Sequence, residues 1–211
     1  MDLNLYFTSN DLIGIIPEII LTMTVLFVLS LDMIGVKRPG VNVMCANIGL
    51  LLSGFFVSQG GQEGILFGGM LHLSSFSVLF DFIYIGIGIA TLLISKQYLV
   101  ENLGKIRGEF PALVLFSVIG MMLMTRANDL VVLFLGLELL SLSLYVLVGF
   151  HRNNLLSNES GLKYLFLGAF STGFFLFGVA MIYGATGTTN YNELAVAISG
   201  DNLLSELYLT I

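Results

Sequence analysis

Residues 108–150 read GEFPALVLFSVIGMMLMTRANDLVVLFLGLELLSLSLYVLVGF, and this stretch decides the fold class. Two apolar runs, Pro111 to Thr125 and Leu130 to Phe150, flank a polar break formed by Arg126, Ala127, Asn128 and Asp129. A bilayer core offers no partner to a backbone N–H or C=O, so a spanning segment must pair these groups within itself. Barrel strands would alternate in polarity, and these uniformly apolar runs do not. The stretch therefore predicts two transmembrane helices in a tight hairpin. Pro111 suits a first helical turn, where its missing N–H leaves nothing unpaired. Asp129 suits the N-cap of the second helix. The first run is short against the ~20 residues that a span requires, and Arg126 is placed to snorkel to the interface.

Carried outward along the chain, the same reading finds four more runs: Leu12 to Gly35, Val41 to Ser58, Phe76 to Ser95 and Leu162 to Gly184. The expected fold is all-α, a polytopic transmembrane helix bundle of about six spans. Composition agrees, since 56% of the 211 residues are hydrophobic and 10% charged, against about 25% charged in soluble domains. A net charge of −6 with eight scattered basic residues argues against nucleic acid, which needs clustered Lys and Arg. Cys45 is the single cysteine. There can be no intramolecular disulfide, and no Cys/His cluster offers a metal, haem or iron–sulfur site, so any redox cofactor is expected on another chain. Asp2 and Asp11, rather than a basic leader, precede the first run, which reads as a retained helix and not a signal peptide.

Three spans fall in residues 1–110 and three in 111–184, leaving 185–211 as a loop, a short helix and the start of a further apolar segment from Leu203 to Ile211. Thr188, Thr189 or Asn190 is set to cap the short helix, with Leu194 and Ile198 on one face. Ending within an apolar segment reads as a truncation. Lys37, Arg38, Lys96, Lys105, Arg107 and Arg152 lie on one side of the six spans, and Arg126 alone lies on the other. The positive-inside rule then places both ends of the chain on the outer, electrically positive side, with a bacterial plasma (inner) membrane as the expected host.

Glu18, Asp32, Asp81, Glu138 and Lys163 fall within predicted spans. Each costs at least ~2.5 kcal/mol at a helix centre and marks either a functional path or a buried pair. Glu138 stands eight residues past Leu130, about 12 Å along the helix, near mid-membrane, and is the candidate proton carrier. The alternative is a carboxylic acid held neutral for packing alone. Ser141 and Tyr145 follow three and seven positions later on the same face, where they can hydrogen-bond or order water. Lys163 is a possible relay, with snorkelling as the competing reading. Glu18 and Asp81 read equally as members of a structural pair or as functional groups, while Asp32 and Asp129 read as interfacial. His151, beside Arg152, can pass protons near neutral pH or act as an interfacial anchor, and His72 reads as a plain loop histidine. Gly168, Ala169, Ser171, Thr172 and Gly173 form a small-residue stripe that would let the last span pack closely on a neighbour.

Residues 108–150 together with ESGLKYLFLGAFSTGFFLFGVAMIYGATGTTNY at 159–191 strongly resemble the subunit N family of proton-translocating NADH:quinone oxidoreductase, complex I. The resemblance covers the whole chain loosely. It is most specific in GLELLSLSLYVL and GLKYLFLGAFSTG. It implies a membrane-arm subunit of roughly fourteen helices, built on two inverted five-helix repeats with broken helices, of which residues 111–184 are the first three helices of the first repeat. Glu138 matches the family's helix-five glutamate and Lys163 its helix-six lysine. The charged residues of helices seven, eight and twelve have no counterpart within residues 1–211.

What the resemblance implies mechanistically is proton transfer through buried Glu and Lys residues, coupled to quinone reduction elsewhere in a hetero-oligomeric complex. Glu138 would gain or lose its proton as a lysine withdraws or approaches. NAD, FMN, iron–sulfur clusters and quinone are then expected on partner subunits, with no redox centre on this chain. Two other readings compete: an Mrp-type sodium/proton antiporter subunit, and a non-transporting scaffold fragment. The GLELLSLSLYVL wording favours the complex I subunit over both.

Overall fold

The computed structural model describes residues 9–34, 40–59, 63–103 and 108–199. Lys37, Arg38, Lys105, Arg107 and the apolar segment from Leu203 lie outside the described residues. Helices α1 (Ser9–Gly14), α2 (Ile16–Met33) and α3 (Val41–Gln59) come first. A short hairpin of strands β1 (Gly64–Leu66) and β2 (Leu71–Leu73) follows. Then come α4 (Ser75–Leu103), α5 (Glu109–Arg126), α6 (Leu130–Val148), α7 (Leu155–Thr186) and α8 (Tyr191–Ser199). Six of these helices, α2 to α7, are long and apolar enough to cross a bilayer.

The six-span bundle stands, with corrected boundaries. The first predicted run divides at Ile15, because Pro17 falls in the first turn of a new helix, where its fixed φ and absent N–H are tolerated. The third span starts at a reciprocal serine cap, in which Ser77 N–H donates to Ser74 Oγ (3.2 Å) and Ser74 N–H to Ser77 Oγ (3.1 Å). The sixth span begins at Leu155, seven residues earlier than its apolar run, because Asn154 Oδ1 accepts the N–H groups of Leu156 and Ser157. Lys163 therefore sits two turns inside a helix and not at its start. Asp129 caps α6 as expected, taking the Val131 N–H at 2.8 Å. His72 lies in β2, opposite Ile65 in an antiparallel pair, and not in an irregular loop.

The core gathers around α5. Leu115, Val118 and Met122 of α5 meet Leu21, Val25 and Val28 of α2, Leu50 of α3 and Leu92 of α4, all essentially inaccessible. The run that was marginal by length is thus the central helix. A helix surrounded by protein needs less apolar length and strength than one bathed in lipid. Its contact with α6 is set by two glycines. A Cβ on Gly120 would lie 2.7 Å from both the Gly136 carbonyl and the Leu140 nitrogen, and one on Gly136 would lie 3.0 Å from the Gly120 carbonyl. Close backbone approach of this kind is how membrane helices associate without a hydrophobic drive.

One end of the bundle is tied by backbone. The carbonyl of Gly69, in the hairpin, accepts Nδ2 of both Asn128 (2.9 Å) and Asn190 (2.8 Å). Gly69 has φ +104°, a conformation open to glycine alone at low cost. Asn128 N–H donates to the Met70 carbonyl, and the Asn128 carbonyl receives Tyr191 N–H. The hairpin, the α5–α6 turn and the start of α8 therefore form one knot. Asn190 caps α8, and Leu194 is buried as expected, whereas Ile198 is exposed and does not share that packed face.

Gly120→Ala should push α5 from α6 backbone against backbone and destabilise the bundle by roughly 1–3 kcal/mol. Gly178→Ala, with open space at its Cβ, should change little. Thermal unfolding of the two variants in the same detergent checks the contrast.

Candidate functional site

Helices α6 and α7 run antiparallel, and their contacts step along in register. Gly149 meets Gly161, Tyr145 packs edge-on to Tyr164 at 4.8 Å between centroids, and Phe134 stacks on Phe175 at 6.1 Å. Between these contacts Glu138, half-buried, accepts a hydrogen bond from Thr172 Oγ1 at 2.7 Å. Tyr145 shares this face of α6 and lies over Gly168, where any larger residue would overlap its ring. Glu138 and Tyr145 thus face the same helix, as their spacing requires. Ser141 is half-buried between them, and no side-chain hydrogen bond from it to Glu138 or Tyr145 is present. Of the small-residue stripe, Gly168 and Thr172 meet α6. Ser171 bonds its own helix at the Leu167 carbonyl, and Gly173 faces open space.

Thr172 is the partner that sequence reasoning missed. Its signal was arithmetic: in an antiparallel pair whose contacts keep a constant residue sum, position 138 must face a position near 172. A hydroxyl both donates and accepts. It can hold a carboxylate by donating and a carboxylic acid by accepting, so the contact survives either protonation state.

Lys163 is not brought to Glu138. Nine residues separate it from Thr172, about 14 Å along α7, and its exposed ammonium pairs with Glu159 one turn earlier. His151 lies in the α6–α7 connection, beyond the far end of α6 from Asp129, beside Arg152, which pairs with Glu109 at 3.4 Å.

Asp81, which the sequence left open between a structural pair and a functional group, is paired in a cluster separate from Glu138. Arg126 does not snorkel. It is buried, with Nη2 donating to Asp81 Oδ2 at 2.5 Å, Nη1 2.6 Å from Glu18 Oε1, and Nη1 also donating to the Gly14 carbonyl at 2.8 Å. Glu18, Asp81 and Arg126 are 6%, 0% and 2% exposed. The physical reason is cost: a lone guanidinium or carboxylate in this environment is penalised heavily, and pairing is the way to keep all three. The cluster joins the first turn of α2, the second turn of α4 and the last residue of α5. It was legible as two acids without partners and one basic residue on the side that otherwise lacked them. Among the described residues no group of three His, Cys, Asp or Glu side chains is arranged to hold a metal.

A family model described as the NADH:quinone oxidoreductase/Mrp antiporter transmembrane region matches residues 127–211. NADH-quinone oxidoreductase subunit N of Trichlorobacter lovleyi is 40% identical over 203 residues, covering 94% of this chain and 42% of that protein. Its counterpart in Chloroflexus aggregans is 40% identical over 189 residues, 89% of this chain and 38% of that protein. The chain spans about two fifths of the length of the curated relatives it matches. A chain of respiratory complex I from Thermus thermophilus superposes with a TM-score of 0.68 at 27% identity, over 83% of this chain and 38% of that one. A chain of the archaeal membrane-bound sulfane sulfur reductase gives 0.72 at 23% identity over 94% and 41%, a likeness of fold.

Arg126→Gln leaves two carboxyls buried without their counter-charge and should cost about 3–5 kcal/mol. The expected readout is loss of the protein from native membranes, measured by immunoblot, against little change for Arg152→Gln at the exposed pair.

Proposed function

Since the chain belongs to the NADH:quinone oxidoreductase/Mrp antiporter family and aligns with about two fifths of the length of subunit N, we propose that it serves as a proton-translocating membrane-arm subunit of an NADH:quinone oxidoreductase. The observation that carries this reading is Glu138, midway along an apolar helix and hydrogen-bonded to Thr172. A carboxyl so placed takes up or gives away a proton without leaving its partner. Quinone reduction elsewhere in the complex supplies the drive, and NAD, FMN, iron–sulfur clusters and quinone are held by other subunits. Residues 111–184 act as the first three helices of an inverted repeat.

Within this scheme Ser141 and Tyr145 extend the polar face of α6 away from Glu138 toward the basic end of the bundle. Lys163, with Glu159, and His151 sit at that end and receive protons from the surface. Lys96 and Arg152, and by sequence Lys37, Arg38, Lys105 and Arg107, put that end in the cytoplasm of a bacterium. The hairpin knot then faces the outer, positive side.

An Mrp-type sodium/proton antiporter subunit is the second reading, favoured by the shared transmembrane family region. Co-purification with redox subunits supports the first reading. Sodium-dependent proton exchange without them supports the second.

Glu138→Gln keeps the hydrogen bond but cannot titrate. In inverted membrane vesicles energised with NADH, the assembled variant complex should lose coupled proton uptake. Full uptake in an assembled variant would overturn the role of Glu138. Thr172→Val should weaken uptake less, because the carboxyl remains, and should shift its pH profile.

A further inference from the structure

The Glu18–Asp81–Arg126 cluster contains two carboxyls and one guanidinium, so with all three ionised it holds an excess negative charge in an apolar bundle. Its polar atoms are also incompletely used. Glu18 Oε2, Asp81 Oδ1 and Arg126 Nε have no hydrogen-bond partner among the described residues, although all three side chains are at least nine-tenths buried. Buried polar atoms without partners are rare in native proteins, and a group of them in one place points to something small bound there. A metal cation would sit against the guanidinium. A proton on one carboxyl cancels the excess charge without meeting that repulsion, and converts an unpaired acceptor into a donor.

A route for the proton lies next to the cluster. Gly14, whose carbonyl Arg126 holds, lines a cavity of about 120 Å³ together with Asn10, Ile13, Glu63, Leu66 and Leu73. That is room for several waters, since one needs roughly 10–15 Å³. Gly14 is packed against the Leu66 side chain, so any larger residue there would overlap it. Other titratable groups on the elements packed around the cluster are already engaged or lie elsewhere. Asp11 of α1 accepts the Phe67 N–H at 2.9 Å, Tyr84 of α4 bonds Thr125 at 2.9 Å, and His72 is exposed on β2. Cys45 of α3 lies near the opposite end of the bundle. Glu63 accepts both the hydroxyl and the N–H of Ser75, which hold its carboxyl below the ordinary range, so it stays ionised and is not the group that takes the proton.

We propose that Glu18, Asp81 and Arg126 form a second proton-binding site, separate from Glu138, which holds one exchangeable proton on its carboxyl pair and communicates with the hairpin face through the Gly14–Leu66 cavity. Each isosteric neutralisation, Glu18→Gln or Asp81→Asn, leaves one carboxylate opposite one guanidinium. The charge is then balanced without a proton. Removing both carboxylates leaves Arg126 buried and unpaired.

The test uses the intact complex purified from native membranes, with pH-difference infrared spectroscopy as the readout. The wild type should show a buried carboxylic-acid C=O band that shifts in D2O. Glu18→Gln and Asp81→Asn should each assemble to within about twofold of wild type and lack that band, while the double variant should fail to assemble. Glu138→Gln should retain the band, which separates this site from the proton-carrier reading of Glu138. Absence of the band in wild type, its persistence in both single variants, or failure of both single variants to assemble as complete as that of the double would each overturn the proposal.

Discussion

A single guanidinium holds the hairpin end of this bundle together. Arg126 ends α5, the central helix, and reaches Glu18 at the start of α2, Asp81 in α4 and the carbonyl of Gly14 at the end of α1. In water such an arrangement contributes little, because each charge is solvated when apart. In an apolar bundle the alternative to pairing is an isolated buried charge, so the three helix ends are constrained to meet. That requirement fixes the vertical register of α2 and α4 on α5 and brings the chain before Pro17 against the hairpin.

The other constraint is steric. Gly120 and Gly136 let α5 and α6 approach until only backbone separates them, and the knot built on the Gly69 carbonyl fixes the turn between them. Against this rigid part α7 is differently placed. It packs on α6 through Glu138–Thr172, Tyr145–Tyr164 and Phe134–Phe175, yet has no fully buried residue. Phe166, Phe170, Phe174 and Phe177 are all largely exposed, a face at home in lipid. The polar groups thus occupy two sites with different surroundings. One is enclosed by protein at the hairpin end, and the other is half-open in the α6–α7 groove near mid-membrane.

Much of this was legible in the residues. Uniform apolar runs announced the spans, Asp129 the start of α6, and the position of Glu138 its depth. The boundaries that moved did so where a local hydrogen bond or ring overrides hydropathy: Pro17 restarts a helix, and Ser74 and Asn154 start theirs in polar sequence. The small hairpin escaped notice because three-residue strands leave almost no periodic signal. Arg126 was misplaced because snorkelling and pairing share one sequence signature, a basic residue at the end of an apolar run.

The sequence by itself determined that the described residues form apolar helices long enough to cross a membrane, and that one acid stands midway along one of them, because the bilayer leaves the backbone no other way to pair its N–H and C=O groups. It also carried a resemblance to the subunit N family, in two short stretches around Glu138 and Lys163. Only the tertiary structure decided which charges meet. Glu18, Asp81 and Arg126 are 45 or more residues apart in the chain, and Glu138 and Thr172 are 34 apart. No periodicity within one helix records the rotation and depth of its neighbours. Those are set by glycine contacts and buried pairing, which exist only once the helices are assembled.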